Sequence, residues 1–184
     1  MLYLLRRAAV AVGVVEIGAG VALLGAVVGL ICYQVAARYL FRSPLAWVEE
    51  LATYCFIWMT LLGAGLATKL DRQIRIQTLD HVMSPRARIL LQAATYVLTG
   101  AVFIVVGWLA SRIVPVELRT TSVSLPVDIP RAWFFTLPLC WACASIVLAA
   151  AYHVAAAGAR LRGDFVPPLF QIRDEANAGT EATL

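Results

Sequence analysis

Apolar residues along this chain gather into four blocks, about 8–37, 47–68, 89–110 and 132–157, separated by shorter polar stretches. Blocks of this length suit helices that cross a bilayer, because roughly 20 residues at ~1.5 Å each span a ~30 Å hydrocarbon core. The first block would reach ~45 Å as a helix, so it must tilt or protrude. Between the second and third blocks, Ile76, Leu79, Val82 and Met83 recur at helical spacing while Arg75, Gln77 and Asp80 fall elsewhere. That pattern predicts a short amphipathic helix lying in the interface and ending near Ser84-Pro85. The expected fold is therefore an all-α membrane protein. Four transmembrane helices and one interfacial helix form a single domain over 1–162, and a polar, disordered tail follows over 163–184.

Punctuation along the chain refines these elements. Arg6 and Arg7 precede an apolar run, as in a signal peptide, but the run far exceeds a 7–15 residue h-region and reads as a retained first helix. Ser43 with Pro44 is an expected start for the second helix, through an N-cap and a first-turn proline. Pro115, Pro126 and Pro130 mark 111–131 as an irregular link, with Pro130 opening the last helix and Pro138 in its first turns. Gly25-x-x-x-Gly29 fits the small-xxx-small pattern of close helix contacts.

Composition agrees with a membrane protein: 61% hydrophobic and 14% charged residues, with a mean hydropathy of +0.82, lie outside the soluble range. The net charge of +4 does not indicate nucleic acid, since the basic residues sit at block edges and never form a run. They act as topology determinants. One side holds Arg6, Arg7, Lys69, Arg72, Arg75, Arg86, Arg88, Arg160, Arg162 and Arg173; the other holds Arg38, Arg42, Arg112, Arg119 and Arg131. The positive-inside rule then places both termini in the cytoplasm.

Candidate chemistry concentrates between Gln34 and Gly65. There Arg38, Tyr39 and Arg42 close one apolar block, and Trp47, Glu49 and Glu50 open the next. Glu49 and Glu50 need partners, and Arg38 and Arg42 are the nearest cations in sequence. Glu16 is the one acid well inside an apolar block, where ionisation facing lipid costs at least ~2.5 kcal/mol, so an interfacial or partner-facing position is expected. Cys140 and Cys143 have CxxC spacing inside a lipid-type segment without a second ligand pair, and read as packing residues. No cofactor, metal or catalytic set is expected. A haem would need a second axial histidine beside His153, and no Ser or Cys has an evident histidine base.

At these residues the chain resembles a known family. The order QVAARYLF, a turn with proline, WVEE, LGAG and KLDRQIRIQTLD, and later SVSLPVDIPRAWFFTLPL, is similar to the small membrane subunit of tripartite ATP-independent periplasmic (TRAP) transporters, the DctQ family. Family members often carry His-Ile where this chain has Gln73-Ile74. The resemblance implies a non-catalytic subunit of a secondary, ion-coupled organic-acid transporter in the bacterial inner membrane. It implies two partners besides the lipid bilayer: a large membrane subunit, whose static scaffold this chain enlarges, and a periplasmic substrate-binding protein. Carried over by position, Arg38, Tyr39, Trp47, Glu49, Glu50 and Gly63 are candidates for subunit-interface or corner-stabilising contacts; Arg42, one turn after Arg38, joins them from the corner cluster itself, and Glu117 in the third link is a control outside the corner: Glu49→Ala or Glu50→Ala should weaken assembly or uptake more than Glu117→Ala. Two other readings stay open: a membrane anchor of a redox complex, and a small homo-oligomeric exporter with Glu16 or the Glu49–Glu50 pair as its proton site.

Overall fold

A computed structural model describes residues 2–40, 42, 45–70, 84–121, 129–162 and 169. Four long helices account for most of them: α1 (Leu2–Leu40), α2 (Ala46–Lys69), α3 (Pro85–Glu117) and α4 (Thr136–Leu161), with one 3₁₀ turn at Arg131–Trp133 leading into α4. All four are long and apolar enough to cross a membrane. The expected interfacial helix falls on residues outside the described set. At 39 residues, α1 is ~58 Å long and exceeds any hydrocarbon core, so its ends must project or the helix must tilt.

Helix boundaries follow local chemistry, with two departures from expectation. The Ser-Pro start signal operates at α3: the Ser84 side chain accepts from the Ala87 amide at 3.4 Å with Pro85 beginning the helix, satisfying one orphan donor and supplying a residue that lacks another. The same dipeptide at 43–44 lies outside the described residues, and α2 instead starts at Ala46 with Leu45 as an N-cap that makes no side-chain bond. The second departure is Pro115. It does not end α3, which continues through it to Glu117, because a proline in the last turn leaves little ladder beyond it to break.

Contacts at matched depths fix the directions of the helices. Gln34 meets Glu49 and Glu16 meets Lys69, so α1 and α2 are antiparallel neighbours. Gly107 lies against Cys143, and Gly100 against Ala150, so α3 and α4 are antiparallel too. Tyr54 stacks on Phe134 and Gly65 abuts Ser145, which makes α2 and α4 parallel. α4 packs against all three other helices and carries the longest run of buried positions, from Thr136 to Ala157.

Glycine allows the closest approach at α3–α4. A Cβ on Gly107 would lie 3.2 Å from the Cys143 Cβ, and one on Gly100 would lie 3.5 Å from that of Ala150. Both partners are seven residues apart, the spacing that keeps two helices in register over two turns. Cys143 is thus a small packing residue. Gly25 and Gly29, expected to mark a helix contact, have no atom of the described residues within 4 Å of where a Cβ would lie, so their face of α1 is open within the described bundle. At the other end of the bundle Leu169, inside the stretch expected to be a disordered tail, is buried with Ala9, Tyr152 and Ala156. At that residue the chain returns to the helices.

Candidate functional site

The corner singled out by sequence sits where α1 passes to α2. The reversal holds Arg42 at φ 50°, a left-handed conformation that a non-glycine side chain adopts at a cost. Arg38, Tyr39 and Arg42 are exposed and Trp47 is half-buried. Gln34 Nε2 donates to Glu49 Oε2 at 3.2 Å, and the Tyr54 hydroxyl donates to Glu50 one turn back. Both of these bonds, among the described residues, come from neutral donors. Gly63 lies four turns further along α2, exposed and with open space beside it, and is not brought to the corner.

The corner extends further than the sequence suggests, because α4 begins beneath it. The Tyr54 ring stacks on Phe134, with centroids 3.9 Å apart and planes 7° from parallel, and meets Phe135 edge-on at 5.6 Å. Such pairs add ~0.5–1.5 kcal/mol each beyond their burial. Trp58 Nε1 donates to the Trp133 carbonyl at 3.1 Å, the Arg131 guanidinium lies 5.6 Å from the Phe135 centroid, and Thr136 donates to Glu117 at the end of α3. Glu117, expected to be a neutral control, in fact ties α3 to the start of α4.

Toward the other end of the bundle is a second polar cluster. Lys69 Nζ lies 2.6 Å from Glu16 Oε2, both side chains fully buried. It also donates to Ser145 Oγ at 2.7 Å, and the Ser145 hydroxyl donates in turn to Glu16 Oε1 at 2.6 Å. The three bonds close a triangle whose corners belong to α1, α2 and α4. Glu16 is therefore not turned toward a partner chain or toward lipid; it is buried within the chain and paired. An ion pair with both carboxylate oxygens engaged removes the cost that lipid would impose on a lone charge. Gly65, one turn before Lys69, makes room: a Cβ there would be 2.7 Å from Ser145 Oγ and 3.2 Å from Glu16 Oε1.

Lys69 and Ser145 were missed by sequence reasoning. Lys69 reads as a loop cation because it ends an apolar block, and Ser145 as an ordinary small residue. A signal was present in the hairpin, since Glu16 lies 24 residues before the end of α1 at Leu40 and Lys69 lies 23 after the start of α2 at Ala46, and antiparallel neighbours at nearly equal distance from a reversal meet. Among the described residues no group of three or more His, Cys, Asp or Glu side chains is placed to hold a metal ion.

These features define a multi-pass membrane protein whose described carboxylates are each bonded to a side chain of the same chain. Comparison with known proteins then places it more narrowly. The family described as "Tripartite ATP-independent periplasmic transporters, DctQ component" matches residues 27–160, and the chain belongs to that family. It is similar to the sialic acid TRAP transporter small permease protein SiaQ of Vibrio cholerae, 30% identical over 56% of this chain and 62% of the relative. A putative TRAP transporter small permease protein of Haemophilus influenzae is 32% identical over 36% of this chain and 41% of its own length. The sialic acid TRAP transporter permease protein SiaT of Haemophilus influenzae is 33% identical over 34% of this chain but only 10% of the relative. The chain spans less than two thirds of each of these relatives.

Proposed function

We propose that this chain is a non-catalytic small membrane subunit of a TRAP transporter, which pairs with a large permease subunit and extends its static scaffold. The observation that carries the reading is the family match over 27–160, which runs from the later half of α1 through nearly all of α4. The match to SiaT supports the pairing, because there a segment resembling this chain occupies a tenth of a much longer permease. The internal chemistry is consistent with a support. Glu16, Glu49, Glu50 and Glu117 all bond to side chains of the chain itself, whereas carriers hold intramembrane charges around a midplane substrate site.

In the full reading the transporter is ion-coupled, takes up an organic acid delivered by a periplasmic binding protein, and resides in the bacterial inner membrane with both termini of this chain in the cytoplasm. Arg38, Tyr39 and Arg42, which are exposed, and Trp47, which is half-buried, then face the periplasmic side, where the large subunit can meet them. Extraction in mild detergent tests the pairing: the tagged chain should bring down a much larger membrane protein in fixed ratio. Recovery of this chain alone, under conditions that keep it folded, would count against the reading. The exporter alternative, with Glu16 as a proton site, draws no support from a carboxylate whose two oxygens are both engaged and closed off from water.

A further inference from the structure

The buried triangle has a geometric consequence for α1. Among the described residues Glu16 is the α1 residue held by an ion pair, and its partners lie on two different helices, Lys69 on α2 and Ser145 on α4. Contacts along the rest of the inner face of α1 are with small or apolar positions such as Ala9, Gly13 and Ala37, which tolerate rotation because dispersion is not directional. A carboxylate that must reach an ammonium and a hydroxyl at once does not tolerate it. At about 100° per residue, Gly18, Gly25 and Gly29 fall roughly 180–220° round the helix from Glu16, and all three have open space beside them. A slip of one residue, about 100°, would swing Glu16 away from Lys69 and Ser145, and a slip of two, about 200°, would bring this thin face to where Glu16 now points.

We infer that Glu16, Lys69 and Ser145 are positioning residues: a closed charge triangle that pins the rotation of α1 and so determines which side of that helix the large permease subunit meets. The second half of this statement rests on the proposed pairing; the first half does not. Gly65 belongs to the device, since the triangle closes only where no side chain stands between α2 and α4. The pin is distinct from a simple contribution to stability. Replacing a buried ion pair by apolar groups of similar size often leaves stability unchanged or raised, while removing one partner is strongly destabilising. Stability and register can therefore be separated by mutation.

The test uses the full chain with Cys32, Cys55, Cys140 and Cys143 replaced by serine or alanine, and with Gln34→Cys and Glu49→Cys introduced where the two side chains already touch. Oxidative cross-linking in the membrane then reports the register of α1 on α2. Co-purification with a co-expressed TRAP large permease subunit, read in chains that keep Gln34 and Glu49, reports assembly. Single Glu16→Met or Lys69→Met changes should lower both thermal stability and cross-linking, the latter about tenfold. The paired change Glu16→Met with Lys69→Met should regain the thermal stability of the parent while cross-linking and co-purification stay low. Recovery of cross-linking together with stability would reduce the triangle to a stabilising contact and overturn the pin. Loss of cross-linking with undiminished co-purification would overturn the link between α1 rotation and the permease. If the unsubstituted chain brings down no permease, the functional reading fails, and the cross-linking arm still decides whether the pin exists.

Discussion

The two polar clusters of this protein sit toward opposite ends of the same helix hairpin and use charge in opposite ways. Near the chain termini, an acid and a base are fully buried and satisfy each other through a serine. At the α1–α2 turn the acids Glu49 and Glu50 take neutral donors, Gln34 and Tyr54, and Arg38 and Arg42 stay exposed. The corner is the richer in charge, but the triangle is the more deeply committed to the fold. Burial decides how much a polar contact matters to the chain itself, since a lost partner leaves an unsolvated charge in one place and a hydrated one in the other. The corner's exposed cations remain available for contacts outside the chain.

The contrast can be broken most directly at Lys69. Lys69→Gln leaves Glu16 buried without its cation and should cost about 3–5 kcal/mol, seen as a large fall in the thermal unfolding midpoint of the detergent-solubilised chain. Next is Gly65→Ala, which drives a methyl group into Ser145 Oγ and should cost about 1–3 kcal/mol by overpacking. Gly63→Ala, two residues away with nothing within 4 Å, should leave the same midpoint unchanged. Equal effects at the two glycines would mean that the triangle does not close as described.

The corner should respond less in the isolated chain. Tyr54→Phe removes the bond to Glu50 but keeps the stack on Phe134, and should cost about 1 kcal/mol in the same unfolding assay. Smallest of all is Arg42→Gly, which relieves the left-handed backbone and should shift stability by no more than about 0.5–1 kcal/mol, toward greater stability. If Arg42 contacts the large subunit, the same change should still reduce co-purification. Glu117→Ala, at a residue first chosen as a control outside the corner, should also lower stability, because Glu117 joins α3 to the start of α4.

Much of this was readable from hydrophobic pattern alone. Four spans, their order and the absence of strand alternation follow from block lengths, and the family resemblance rested on residues that the family match then covered. What could not be read was which charges face inward. Lys69 was counted with the loop cations because it ends its apolar block; the side-to-side bias of Lys and Arg survives its removal. Glu16 looked expensive, and was, until a partner 53 residues away met it through a hairpin whose arithmetic depends on where the turn lies. Gly25 and Gly29 formed a motif without a partner in this chain, while Gly65, Gly100 and Gly107 made the contacts. Small residues permit close approach, but only the tertiary arrangement says which of them use it.

A subunit that supports transport without performing it can be recognised in reconstituted uptake. Proteoliposomes would hold this chain alone, a TRAP large permease subunit alone, or both, with the matching binding protein and substrate supplied outside. Ion-dependent uptake is expected only when both membrane chains are present. Uptake by this chain alone, or full uptake by the permease without it, would rule out a supporting role.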